Sequence, residues 1–290
     1  MMILVSLLSA CDVNRSDPLP EVDQISGTGD YEFDSYEPLS AKPVRVFFHV
    51  PRDADAETPV VIVFHGQGRD ADNYRDDWVG LANEYGFIVA APEFRDVFYS
   101  GSNGYQLGNL FIDGENPIPG TERPREQWTY SLVEPLFDDV VARTPTEVET
   151  YQAFGHSAGA QFAHRFVLFV PDARYDTVVA ANAGWYTLPD DSIEYPYGLG
   201  ATPVAGGDRS FFGRSLAVHN GDRDNNPESS SLRRTAEADE QGLHRFDRGA
   251  YFVETSGDLA SSAGEAYDWD RVIVPNVGHD GEAMAPAAAA

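Results

Sequence analysis

The sequence predicts an α/β fold: a mostly parallel sheet with helices packed on both faces. Three observations carry this. The run Val60–Phe64 (Val-Val-Ile-Val-Phe) is apolar without alternation, as a strand covered on both faces requires. Runs of this kind alternate with stretches whose apolar residues recur at helical spacing, the pattern of strand–helix–strand units. Finally, Gly155-His156-Ser157-Ala158-Gly159 joins a β-rich stretch, 150–154, to a helical one in which Phe162, Phe166 and Phe169 recur until Pro171.

Residues 12–40 are polar, acidic and rich in Ser, Gly, Asp and Pro, and read as a flexible tether. The folded domain is expected from residue 42. Val44–Val50 alternates as an early strand, and a turn-rich connection follows it. After Val60–Phe64 comes His65-Gly66-Gln67-Gly68. Asp70 is placed to cap a helix carrying Tyr74, Trp78, Leu81 and Tyr85, and Gly86 ends it. Residues 87–91 read as the next buried strand. Segment 92–127 then breaks the rhythm, being long, rich in Gly and Pro and dotted with aromatics. Such a segment inside a compact domain is usually functional or disordered. Its place after the carboxyl end of a strand sets it beside a ligand site. A helix kinked at Pro135 is expected over 128–143. Strands follow at 177–181, 215–220 and 271–275. A mostly helical stretch, 229–255, separates the last two, and the chain ends in an alanine-rich segment. No internal repeat is evident.

The chain has 290 residues, 42% of them hydrophobic, which suits one large domain with a sizeable core. Its charge is unusual: 20 Lys+Arg against 47 Asp+Glu give a formal net of -27. Such a field repels nucleic acid and anionic lipid head groups, so neither is an expected partner. The acids are scattered, as on the strongly hydrated surfaces of proteins from salty environments. Asp222-Arg223-Asp224-Asn225-Asn226 matches part of a calcium loop and lacks the rest. No metal or organic cofactor is expected. The single cysteine, Cys11, rules out a disulfide within the chain.

A serine hydroxyl is a poor nucleophile at neutral pH and needs a base, itself oriented by an acid. Among the seven histidines, His49 and His65 precede Ser157, His156 adjoins it, and His164 follows on the next helix. His219 falls in a strand and His244 in a helical stretch. His279 lies in a loop after the last strand, where an imidazole can reach back to a serine. Two carboxylates, Asp222 and Asp224, follow the 215–220 strand. Asp222 directly follows Gly221 and is suited to shaping the turn.

In these features residues 44–284 resemble the α/β-hydrolase superfamily, in which a nucleophile elbow is followed by an Asp or Glu and then a His. The resemblance implies Ser157 as nucleophile, Asp224 as acid and His279 as base. It also implies an oxyanion hole from the amide of Ala158 and one from the His65-Gly66-Gln67-Gly68 loop, Gln67 or else Gly68. Asn73-Tyr74 and Trp78 on the helix after His65-Gly66, Gly184-Trp185-Tyr186 and Val277-Gly278-His279 look like the secreted-esterase branch that holds polyhydroxybutyrate depolymerases and feruloyl esterases. In that branch Trp185 and Tyr186 would sit near an acyl pocket, although core packing of Trp185 is an equal reading. The implied activity is cofactor-free hydrolysis of small or polymeric carboxylic esters. A peptidase with the same residues, and a binding protein without turnover, stay open. Leu8-Ser9-Ala10-Cys11 resembles the lipobox of bacterial lipoproteins. This implies a signal over 1–10, acylation at Cys11, a tether over 11–41, and an exported catalytic domain over 42–290 whose membrane contact is the lipid anchor alone.

Self-repulsion on so acidic a chain is screened within about 10 Å at 0.1 M salt and more tightly above it. The melting temperature is therefore expected to rise between low and roughly molar NaCl. A calorimetric series in NaCl checks this, and a flat or falling curve would mean the charges are already compensated locally.

Overall fold

The computed structural model describes residues 22–290. Cys11 and the signal-like segment lie outside the described residues. The chain forms one eight-stranded sheet of order β1-β2-β4-β3-β5-β6-β7-β8. The strands are β1 (Gly27–Phe33), β2 (Val44–Val50), β3 (Val60–Phe64), β4 (Ile88–Glu93), β5 (Tyr151–His156), β6 (Tyr175–Ala181), β7 (Ser215–Gly221) and β8 (Trp269–Val274). β2 runs antiparallel to both β1 and β4; every other pairing is parallel. The helices are α1 (Ala71–Tyr85), α2 (Gly101–Gly104), α3 (Val133–Arg143), α4 (Ala158–Phe169), α5 (Ala236–Glu240), α6 (Arg245–Ala263) and α7 (Gly281–Ala289).

β3 shows why the sheet is covered twice. Val60, Ile62 and Phe64 join the larger core with residues of α3, α4 and α6, while Val61 and Val63 join a second core with α1 and α7. All five are buried, so an unalternating apolar run is what this position needs. The α4 ring Phe162 packs on Phe64 with centroids 4.6 Å apart and meets Tyr130 at 4.8 Å. Gly86 closes α1 in the left-handed conformation, φ 75°, which a glycine adopts without a Cβ penalty.

Several expectations are corrected. The stretch Gly27–Phe33 was expected in the tether, yet it pairs residue by residue with β2. It reads as polar because it is the outer strand, where charges such as Asp30 face solvent and pair with Arg45 of β2 at 2.9 Å. Pro135 does not kink a helix. It lies in the first turn of α3, where its missing N–H has no intrahelical acceptor to lose. Asp70 occupies the cap of α1 without a side-chain capping bond. The helical stretch expected over 229–255 becomes α5 and α6, and the alanine-rich end becomes α7, capped by Asp280 accepting from Ala283 N–H.

Segment 92–127 has little regular structure but is pinned. Phe94, Tyr99, Tyr105, Leu107, Leu110 and Phe111 are all buried in the larger core. Arg69, in the turn after β3, donates to the carbonyls of Phe94, Tyr99 and Gly101. No helix among the described residues is long and apolar enough to cross a membrane.

Candidate active site

The turn between β5 and α4 is held by close backbone approach on both sides. A Cβ on Gly155 would fall inside the Gly159 carbonyl, and a Cβ on Gly159 would fall inside the carbonyl of Phe64 at the end of β3. Only glycine fits either place. Ser157, between them, is forced to φ 58° and ψ -113°, a strained conformation that costs on the order of 1–3 kcal/mol for a residue with a Cβ. Its N–H donates to Ala181 at the end of β6, 3.0 Å away, and its carbonyl accepts from Gln161 N–H. The surrounding sheet therefore holds the serine where its own backbone preference would not.

Three loops at the carboxyl ends of β5, β7 and β8 bring their side chains together. His279 Nε2 lies 3.0 Å from Ser157 Oγ, and His279 Nδ1 lies 2.7 Å from Asp224 Oδ2. An ionised carboxylate only accepts, so Nδ1 carries the hydrogen and Nε2 offers its lone pair to the hydroxyl. An imidazole so placed can take the serine proton. Asp224 is 6% exposed and the His279 side chain 28%, so the pair is anchored inside the protein and opens at the serine. Asp222 faces another way. Its Oδ1 accepts from Asn276 N–H at 2.7 Å and ties the β7 turn to the β8 turn. Among the described residues no three His, Cys, Asp or Glu side chains converge as a metal-ligand set.

The loop after β3 adjoins the elbow because Gly159 abuts the Phe64 and His65 carbonyls. Gln67 and Gly68 are exposed there, whereas Ala158 is buried. Among the described residues none of the Gln67, Gly68 and Ala158 N–H groups donates to another protein atom. His65 braces this loop. Its Nε2 accepts from Phe94 N–H at 3.1 Å, so its Nδ1 carries the proton and donates to the Gly66 carbonyl at 2.8 Å. Burial pushes His65 down to about 3, so it stays in this neutral form. Tyr105 OH adds a bond to the His65 carbonyl at 2.7 Å.

Trp185 and Tyr186, expected near an acyl pocket with core packing of Trp185 an equal reading, are both buried. Trp185 is 3% exposed and lies between two guanidinium groups, Arg165 at 4.2 Å and Arg233 at 4.6 Å from its ring centre. Tyr186 is fully buried, stacked on Phe252 of α6 at 4.4 Å. Gln241 holds the Tyr186 backbone at both its N–H and its carbonyl. These contacts turn both rings into the protein.

Two residues not singled out from the sequence help to position the site. Asn182, at the end of β6 with φ 52°, accepts from Gly221 N–H and donates to the Gly278 carbonyl, each at 2.9 Å. One side chain thus aligns the turn that carries Asp224 with the turn that carries His279. His156 packs against His279 with ring centres 4.7 Å apart and planes tilted at 39°, and bonds Tyr74 OH through Nδ1 at 2.9 Å. Burial, reinforced by the charges of His279 and Arg245, holds His156 well below the usual histidine range, so it stays neutral beside His279. An asparagine in the left-handed region after a strand is the one hint at Asn182 that a sequence can carry.

No protein-family model matches the chain. It is similar to poly(aspartic acid) hydrolase-1 from Sphingomonas sp. KT-1, with 38% identity and a TM-score of 0.84 over 91% of this chain and 97% of that one. It is similar as well to LpqC, a poly(3-hydroxybutyrate) depolymerase from Bordetella parapertussis, with 30% identity and a TM-score of 0.83 over 91% and 88% of the two chains. Among curated proteins, poly(3-hydroxyalkanoate) depolymerase C from Paucimonas lemoignei is 27% identical over 165 residues, 57% of this chain and 31% of that protein. The match thus spans about a third of that curated relative's length. A strained serine at the β5–α4 turn, in a sheet shared almost end to end with two hydrolases, makes the conclusion plain: the chain belongs to the α/β-hydrolase family and is a hydrolase related to the poly(3-hydroxybutyrate) depolymerases.

Proposed function

We propose that this chain is a serine esterase that cleaves carboxylic esters through an acyl-enzyme on Ser157. The observation that carries the reading is the single imidazole, His279, bonded at one nitrogen to Ser157 and at the other to the buried Asp224. Ser157 Oγ attacks the ester carbonyl carbon while His279 Nε2 takes its proton. The carbonyl oxygen becomes an oxyanion and accepts from the N–H groups of Gln67 and Ala158, which are oriented before the charge develops. Asp224 keeps the imidazole in the required tautomer and stabilises it once charged. His279 then returns the proton to the departing alkoxide, which leaves as an alcohol. Water, deprotonated by the same nitrogen, attacks the acyl group, and the carboxylic acid product departs with Ser157 restored.

The charge of the chain favours a neutral polyester over a polyanion. At a net of -27 the protein repels poly(aspartic acid), which carries a carboxylate on each residue, and does not repel an uncharged polyhydroxyalkanoate. Segment 92–127 also presents Val97, Ile112 and Ile118 to solvent at 79%, 64% and 64% exposure. Such side chains suit adsorption to an apolar polymer surface. A second reading, amide cleavage in poly(aspartic acid), is favoured by the 38% identity to a hydrolase named for that polymer.

Activity on p-nitrophenyl butyrate and poly(3-hydroxybutyrate) film, compared with poly(aspartic acid) at low and molar salt, separates the two. Ester and film hydrolysis are expected, lost in Ser157→Ala by several orders of magnitude. Release of aspartate oligomers without ester cleavage would select the second reading. Comparing Asp224→Asn with Asp222→Asn tests the acid: the first should cut kcat by roughly a thousandfold or more, by analogy with serine proteases. The second should lower chiefly the melting temperature, because Asn276 N–H then bonds a neutral amide oxygen instead of a carboxylate. An inactive Asp222→Asn beside an active Asp224→Asn would reverse the assignment.

A further inference from the structure

The carboxylate of Asp224 has two oxygens, and each has its own partner. Oδ2 meets His279 Nδ1 at 2.7 Å, and Oδ1 accepts from Arg245 Nη1 at 3.1 Å. Arg245 is the first residue of α6, and its Nη2 donates to Ser231 Oγ at 2.8 Å. The backbone repeats the link, since Phe246 N–H donates to the Asp224 carbonyl at 3.2 Å. The Arg245 and Asp224 side chains are 3% and 6% exposed. A buried ion pair of this kind is a poor source of stability, because desolvating both groups offsets most of their attraction. Arg245 adds to that cost, because its buried Nε has no partner. The contact it does make is with the carboxylate that orients His279.

We propose that Arg245 is a positioning residue for Asp224 and His279: its guanidinium pins Oδ1 so that Oδ2 faces the imidazole, and its charge offsets part of the carboxylate's. The inference rests on the serine-hydrolase reading above. A carboxylate can turn about its Cβ–Cγ bond, and a bond to one oxygen removes that freedom for the other. The sign of the charge effect follows from what faces His279. Asp280, the residue after His279, belongs with Asp70, Asp77 and Glu282 to a group of acids close enough to one another to raise Asp77 to about 6, after burial as the larger cause. On the β7 loop Asp222 bonds Asn276 N–H and Arg223 bonds the Asn276 side chain. His156, at the end of β5, is held neutral by burial. In general a carboxylate beside an imidazole favours its charged form and a guanidinium opposes it. Removing the guanidinium leaves Asp224 uncompensated and stabilises the imidazolium, so His279 should titrate at higher pH.

The test uses two readouts on wild type, Arg245→Gln and Arg245→Lys: titration of the His279 ring followed by nitrogen NMR, and the pH profile of kcat/KM on p-nitrophenyl butyrate at constant ionic strength. In Arg245→Gln the ring pKa and the acidic limb should both rise by about one unit, the scale of a lost charged neighbour. Its kcat should fall roughly tenfold or more with KM little changed, as a misplaced base requires. Lysine, which restores charge without the planar fork, should return the limb toward wild type and leave kcat low. Ser231→Ala, which frees only Nη2, should move both readouts the same way by less, and it stands in if Arg245→Gln does not fold. A folded Arg245→Gln whose ring pKa, acidic limb and kcat match wild type would overturn the proposal, as would a downward shift of the limb. Wild type inert toward the ester would instead overturn the esterase reading, while the NMR titration would still report what Arg245 does to His279.

Discussion

The site depends on how closely one turn can approach the backbone around it. Gly155 and Gly159 allow the β5–α4 turn to lie against itself and against the end of β3, with no room for a Cβ at either place. That approach puts Ser157 at positive φ and sets Gly159, at the start of α4, against the Phe64 and His65 carbonyls. The strain is borne by a sheet in which β3 is buried on both faces by two cores, so the local cost at Ser157 is small against the packing that enforces it. The α4 residues Phe162 and Phe166, both fully buried, anchor the helix that begins at the turn.

Around this frame the histidines divide by burial. His65 and His164 each accept a backbone N–H at Nε2 and donate to a carbonyl at Nδ1, an arrangement open only to the neutral ring. Burial lowers both and keeps them neutral, and each pins a backbone segment beside the site: the β3 loop for His65, the 185–187 segment for His164. His279 differs in having a carboxylate at one nitrogen and a partly open face at the other. The acid beside it is itself held by a buried arginine and by the turn that Asn182 and Asp222 tie in place. Precision at the serine thus comes from side chains that never touch it.

How much of this was legible in the sequence follows from how local each signal is. β3 and the elbow show in a few consecutive residues, because an unalternating apolar run and paired glycines each reflect a constraint met within the segment itself. Ser157, Asp224 and His279 could be proposed together because each follows a strand in a set order, and the structure brings those three side chains into contact. β1 was missed because an outer strand keeps its charges in solvent and so lacks the apolar pattern of the inner ones. Trp185 and Tyr186 were placed by resemblance, but the groups that bury them, Arg165, Arg233, Gln241 and Phe252, come from distant parts of the chain. Arg245 and Asn182 were missed for the same reason: their partners become neighbours only when the loops after β6, β7 and β8 have assembled.

The central proposal is that Ser157, bonded to His279, is an activated nucleophile whose oxyanion is met by the amides of Gln67 and Ala158, and trapping it tests this most directly. The full chain would be treated with a dialkyl fluorophosphonate and the adduct crystallised. Phosphorus is expected on Ser157 Oγ, with the phosphoryl oxygen within hydrogen-bonding distance of the Gln67 and Ala158 N–H groups and His279 still bonded to Asp224. An unlabelled serine, a label on another residue, or an oxygen turned away from both amides would contradict it.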